Sequence, residues 1–128
     1  MPPIHVVLAR QDQDPAQTDG LVRSIQKQFL NVATVSSAEE ARNAIASTQA
    51  VLAVVDLELV GLAKLGELCR EFPATAFVCI HRLADDEMWS RCLAAGALDC
   101  CFTSDLPRIL HSSERYIAFK NTQATSAA

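Results

Sequence analysis

Short β-branched and aliphatic runs alternate five times with longer stretches whose apolar residues recur every three or four positions. Ile4-His5-Val6-Val7-Leu8-Ala9 predicts a first strand, and Leu21, Val22, Ile25 and Phe29 share one face of a helix after it. Asn31 to Val35 predicts a second strand. In Ser36-Ser37-Ala38-Glu39-Glu40 hydroxyls precede acids, a helix start, and Ala38, Ala41, Ala44 and Ile45 form that helix's narrow apolar stripe. Val51 to Val55 is apolar without alternation, as a strand covered on both faces requires. Leu62, Leu65, Leu68, Cys69 and Phe72 mark a third helix stopped near Pro73. Thr75 to Ile80 is a fourth strand, and Met88, Trp89, Cys92 and Leu93 mark a fourth helix ended by Gly96. Leu98 to Thr103 predicts a fifth strand, and Leu106, Ile109, Leu110 and Ile117 line a last helix.

Five strand–helix units of this kind predict an α/β fold: a doubly wound, three-layer α-β-α sandwich with a five-stranded parallel sheet and five helices. The length of 128 residues suits one domain, read as 1–120, with 121–128 a flexible tail or the start of a linker. In open parallel sheets the functional groups gather beyond the carboxyl ends of the strands. The residues to follow are therefore Arg10, Gln11, Asp56, His81 and Thr103.

Composition narrows the function classes. A net charge of -4 gives no basis for a nucleic-acid surface. No apolar run approaches the roughly 18 residues needed to cross a bilayer, and Met-Pro-Pro-Ile-His lacks the features of a signal peptide, so a cytoplasmic location is expected. The five cysteines, Cys69, Cys79, Cys92, Cys100 and Cys101, contain no C-x-x-C pair. Cys100 and Cys101, adjacent on a strand, are expected to point to opposite faces, which argues against a shared ion and for buried thiols, with a redox switch as the alternative. No G-x-S-x-G, H-E-x-x-H or glycine-rich phosphate loop is present, so an enzyme is not expected.

Three segments carry a resemblance. Ala84-Asp85-Asp86-Glu87 is followed by Leu93-Ala94-Ala95-Gly96-Ala97-Leu98-Asp99, Asp56 ends the third strand, and Ser36 to Ala41 opens the second helix. Over about Ile4 to Phe119 the chain resembles the receiver domain of two-component response regulators, a flavodoxin-like family that includes the chemotaxis regulators. The resemblance implies a strand order of 2-1-3-4-5 and makes Asp56 the phospho-acceptor position. It also implies Mg²⁺ held by that aspartate and an acidic pair after the first strand, because a hard cation takes oxygen ligands and neutralises charge on the phosphoryl group. Here Arg10 and Gln11 stand at the acidic pair, His81 at the switch hydroxyl and Thr103 at the family's lysine. Mg²⁺ is thus expected only if phosphorylation is retained. Asp12 with Asp56 is the remaining set of oxygen ligands, although a solvated loop acid is the simpler reading of Asp12.

The expectation is a degenerate receiver acting as a protein-interaction switch in intracellular signalling, without a cofactor. Its partners are expected to be a sensor kinase, an output domain or a second copy, with Trp89, Tyr116 and Phe119 as the candidate partner surface or, alternatively, core aromatics. A functional phosphorelay receiver phosphorylated on Asp56 is one alternative, and a flavodoxin-like ligand-binding or redox protein is another. Arg10 is hypothesised to pair with Asp56 in place of the metal; the competing reading points it into solvent. For His81 the competing readings are an anion donor and a residue that merely closes its strand.

Overall fold

The computed structural model describes residues 4–10, 15–29 and 31–126, with side chains for 4–10, 20, 22–29 and 31–117. The element order is β1 (His5–Ala9), α1 (Pro15–Gln28), β2 (Asn31–Val35), α2 (Ala38–Thr48), β3 (Leu52–Asp56), α3 (Leu57–Val60), α4 (Leu62–Glu71), β4 (Ala76–His81), α5 (Asp86–Ala95), β5 (Asp99–Phe102) and α6 (Leu106–Ser126). All strand pairs are parallel, in the order β2-β1-β3-β4-β5, as expected.

Side-chain alternation along the strands divides the core into two layers. Val7, Ala9, Ala53, Val55, Phe77, Cys79 and Cys100 meet Ala41 and Ile45 of α2, Leu65 and Leu68 of α4 and Cys92 of α5. The alternate residues Val6, Leu8, Leu52, Val54, Val78, Ile80 and Cys101 meet Ile25 of α1 and Ile109 and Ile117 of α6. The central strand β3 is buried along its whole length, because it is paired on both edges and covered on both faces. Cys100 and Cys101 fall on opposite faces, as a strand requires.

Capping explains where the helices begin. Ser37 Oγ accepts from the Glu40 N–H at 3.1 Å while Glu40 Oε2 accepts from the Ser36 N–H at 2.9 Å, a reciprocal box that starts α2. Asp85 Oδ1 accepts from the Met88 N–H at 2.9 Å and starts α5. At the other end of α5, Gly96 adopts φ +115°, and a Cβ there would lie 2.8 Å from Cys69 Cβ, so both its backbone and its packing require glycine.

Two details correct the sequence reading. Among the described residues six helices are present rather than five, since the chain turns directly from β3 into the four-residue α3 and is then broken at Gly61 with φ +82°. His81 lies within β4, not beyond it, because it pairs with Phe102 and its carbonyl accepts from the Thr103 N–H at 3.1 Å. The helical backbone of α6 runs to Ser126. Among the described residues no helix is long and apolar enough to cross a membrane.

Candidate functional site

Asp56 ends β3 at the carboxyl edge of the sheet and is 6% exposed. The strand cannot continue because the carboxylate turns back on the chain: Oδ1 accepts from the Glu58 N–H at 2.9 Å and caps α3. Glu58 in turn pairs with Arg82 at 2.7 Å, joining the turn after β3 to the one after β4 across the top of the sheet. Sequence reasoning missed this pair, whose members are 24 residues apart.

The register places Arg10 beside Asp56. Ala9 pairs with Val55, and the Arg10 N–H donates to the Val35 carbonyl at 3.1 Å, so the β1 backbone stays in line one residue past its last strand position. Arg10 is 9% exposed, which sets aside the solvent-pointing reading. The hypothesised ion pair is not made either: the ion pairs of the described residues do not include Arg10, and its Nε and Nη1 atoms are buried without a hydrogen-bond partner.

His81 accepts from the Leu83 N–H at Nδ1, 2.8 Å away, so in the neutral ring the proton sits on Nε2. This hydrogen bond closes the turn after β4. Thr103 follows β5, and its Oγ1 is buried without a partner. Gln11 and Asp12 lie outside the described residues. Along the sheet edge the order is Arg10, Asp56, His81, Thr103, one from each of β1, β3, β4 and β5 or the residue just beyond.

Without Gln11 and Asp12, the described donors do not fit Mg²⁺. Among the described residues no group of three His, Cys, Asp or Glu side chains is placed to hold a metal ion. Asp56 supplies one carboxylate, and the neighbouring guanidinium carries a fixed positive charge with no lone pair to offer an ion.

A second polar centre was not singled out from the sequence. Asp99, 7% exposed at the start of β5, accepts from Ser112 Oγ at 2.5 Å, the Cys100 N–H at 2.9 Å, Arg108 Nη2 at 3.0 Å and the Trp89 indole N–H at 3.2 Å. Burial alone would push its carboxyl group up, but the hydrogen bonds from Ser112, Arg108 and the Cys100 N–H, with the Arg108 charge, outweigh burial and hold it below the ordinary carboxylate value. A charged residue opening an otherwise apolar strand, with Arg108 and Ser112 four apart on α6, is the signal that could have found it.

The aromatic candidates behave differently from one another. Trp89 is 41% exposed yet tethered to Asp99 by its indole N–H. Tyr116 packs partly against the α1–α6 layer, with the Arg115 guanidinium 5.9 Å from its ring centre. The Phe119 side chain lies outside the described residues. Leu83 and Phe102, 70% and 43% exposed, are apolar groups at the same end of the sheet that the sequence reading did not name.

The thiols are interior. Cys79, Cys92, Cys100 and Cys101 are buried and Cys69 is partly so. Hydrogen bonding with Cys100 favours the Cys92 thiolate, but hydrogen bonding to Cys79 and burial together push the Cys92 thiol up to about 12. Burial also raises Cys101 to about 12, so neither is a thiolate near neutrality.

No family model matches the chain, and no curated protein matches it significantly. Solved structures do. The signal receiver domain of a protein described as a Luxo repressor, from Vibrio parahaemolyticus, superposes with a TM-score of 0.85 at 13% identity over 98% of both chains. A CheY-like response regulator receiver domain from Methanospirillum hungatei JF-1 gives 0.76 at 19% identity over 94% of this chain and 98% of that one. A response regulator from Burkholderia pseudomallei, solved with a phosphorylated aspartic acid, a calcium ion and citrate, gives 0.72 at 19% identity over 96% and 73%. Strand order, layer arrangement and these superpositions agree: the chain has the fold of a response-regulator receiver domain.

Proposed function

We propose that the chain is a receiver-type signalling module that works through protein contacts and whose Asp56 does not undergo ordinary Mg²⁺-assisted phosphorylation. The observation that carries this reading is Arg10, a buried guanidinium in the strand register beside Asp56. Phosphoryl transfer to a carboxylate depends on positioning and on cancelling charge at the transferred oxygens. A metal-binding pair of acids does this; Arg10 repels a second cation, and the short Thr103 cannot extend a charge across the sheet as a lysine does. On this reading the module is not an enzyme, uses no cofactor and acts in the cytoplasm. Its partner is a sensor kinase, an output domain or a second copy.

The partner face is the one built from α5, β5 and α6. The exposed Trp89 and Phe102 support this, since large aromatics are enriched where interfaces concentrate their binding energy. The network centred on Asp99 ties α5, β5 and α6 together and would hold such a face rigid.

Incubation with Mg²⁺ and beryllofluoride, or with a small phosphodonor, tests the central point. The expected mass spectrum shows no adduct. A stable adduct on Asp56 that disappears in Asp56→Asn makes the chain a working phospho-receiver instead.

A further inference from the structure

Among the described residues, three buried side-chain nitrogen or oxygen atoms have no hydrogen-bond partner: Arg10 Nε, Arg10 Nη1 and Thr103 Oγ1. Both residues stand at the carboxyl ends of strands, so the unmet polar groups of the described side chains collect on one edge of the sheet. At the opposite edge a comparable group is satisfied, with Thr75 Oγ1 donating to the Ala50 carbonyl at 2.7 Å.

Arg10 is the sharper of the two. A hydroxyl without a partner is a modest penalty, whereas a guanidinium cannot shed its proton, and its burial calls for an anion or acceptors. Arg42, Arg82, Arg91 and Arg108 are all more exposed than Arg10, and each has a carboxylate partner. Acceptors at the same edge are engaged elsewhere: Asp56 Oδ1 with the Glu58 N–H, His81 Nδ1 with the Leu83 N–H.

We propose that this edge binds a small, singly charged oxyanion, non-covalently and without a metal, on the Arg10 guanidinium. The neighbouring Asp56 carboxylate sets the charge limit, because a dianion would place three negative charges around one cation. Thr103 is not part of this site. Three strand spacings of about 4.8 Å separate β1 from β5, so one small ion does not reach both residues. The proposal rests on Arg10 alone and stands whether or not the module signals.

The test follows the Arg10 Nε–Hε resonance of ¹⁵N-labelled protein in a chloride buffer free of divalent cations. Sodium formate and inorganic phosphate are titrated separately at constant ionic strength. A saturable shift with a midpoint on the order of 1–10 mM is expected. Saturation with both assigns a general oxyanion site, and saturation with one alone identifies carboxylate or phosphate as the source. Arg10→Gln, which lacks that resonance and is followed through the backbone amide of Asp56, should weaken binding at least about tenfold, since the charge-assisted bonds are gone. Asp56→Asn should tighten it about threefold or more by removing the adjacent negative charge, and Thr103→Val should leave it unchanged. A shift that never saturates, or one that requires Mg²⁺, overturns the proposal. So does equal binding by Arg10→Gln, and the wild-type titration still decides the matter if that variant does not fold.

Discussion

The molecule buries two aspartates to the same depth, Asp56 at 6% and Asp99 at 7% exposure, and surrounds them differently. Asp99 is met by five donors from α5, β5 and α6, including a guanidinium at 3.0 Å and the Cys101 thiol at 3.5 Å. Asp56 caps the short turn after its own strand, and the arginine in register beside it is not ion-paired with it. One carboxylate is used to hold three elements together; the other caps the turn that follows its own strand. The contrast teaches that burial by itself does not mark a working group. The donors around a buried charge, and whether they are already committed, separate a structural acid from a site that can receive something.

The largest expected effect follows from removing the satisfied acid. Asp99→Ala leaves the Ser112 hydroxyl, the Cys100 N–H and the Trp89 indole without their acceptor, and urea denaturation should show a loss of about 3 kcal/mol. A loss under about 1 kcal/mol would mean that water replaces the carboxylate easily, and the contrast with Asp56 would collapse.

Paired arginine replacements come next. Arg108→Met should cost about 1 kcal/mol, a value reduced because that side chain is half exposed. Arg10→Met, in buffer without oxyanions, should be neutral or stabilising by up to about 1 kcal/mol, since it removes two buried nitrogens that have no hydrogen-bond partner. If the two substitutions cost the same, Arg10 is coupled to Asp56 after all.

Acid titration sharpens the same comparison. The folded-state pKa of Asp99 is depressed, so its contribution to stability is present above the unfolded value, near 3.9, and is lost as pH falls through the lower folded value. The wild type should therefore lose stability below about pH 4 more steeply than Asp99→Asn, read as the denaturation midpoint against pH. Parallel curves would remove Asp99 from the acid transition.

The smallest effect concerns Thr103→Val. Replacing a buried hydroxyl that lacks a partner with a methyl should raise stability by a few tenths to about 1 kcal/mol in a thermal melt. A loss would show that Oγ1 has an acceptor in solution.

Much of the architecture was legible because it rests on local pattern. The unbroken run Val51 to Val55 could only be a strand covered on both faces, and Ser36 to Glu40 spelled out a helix start that forms as a capping box. Positions along the sheet edge were equally readable, since Arg10, Asp56, His81 and Thr103 each lie at, or one residue past, the end of a strand. What escaped was non-local or too short. The turn α3 spans four residues, less than a window of helical periodicity can register, and its cap is the very aspartate read as a phospho-acceptor position. Asp99 stood inside a quoted motif, yet its role depends on Arg108 and Ser112, which only the packing of α6 on β5 brings close. For Arg10 the register was foreseeable, but the choice between pairing with Asp56 and lying unpartnered is made by side-chain geometry.

The adjacent thiols Cys100 and Cys101, on opposite faces of β5, have a use that follows from their placement. A thiol reagent reaches Cys100 only when α5 lifts from β5, and Cys101 only when α6 does. Their labelling rates under native conditions, resolved by peptide mass, therefore time the breathing of the two halves separately within one dipeptide.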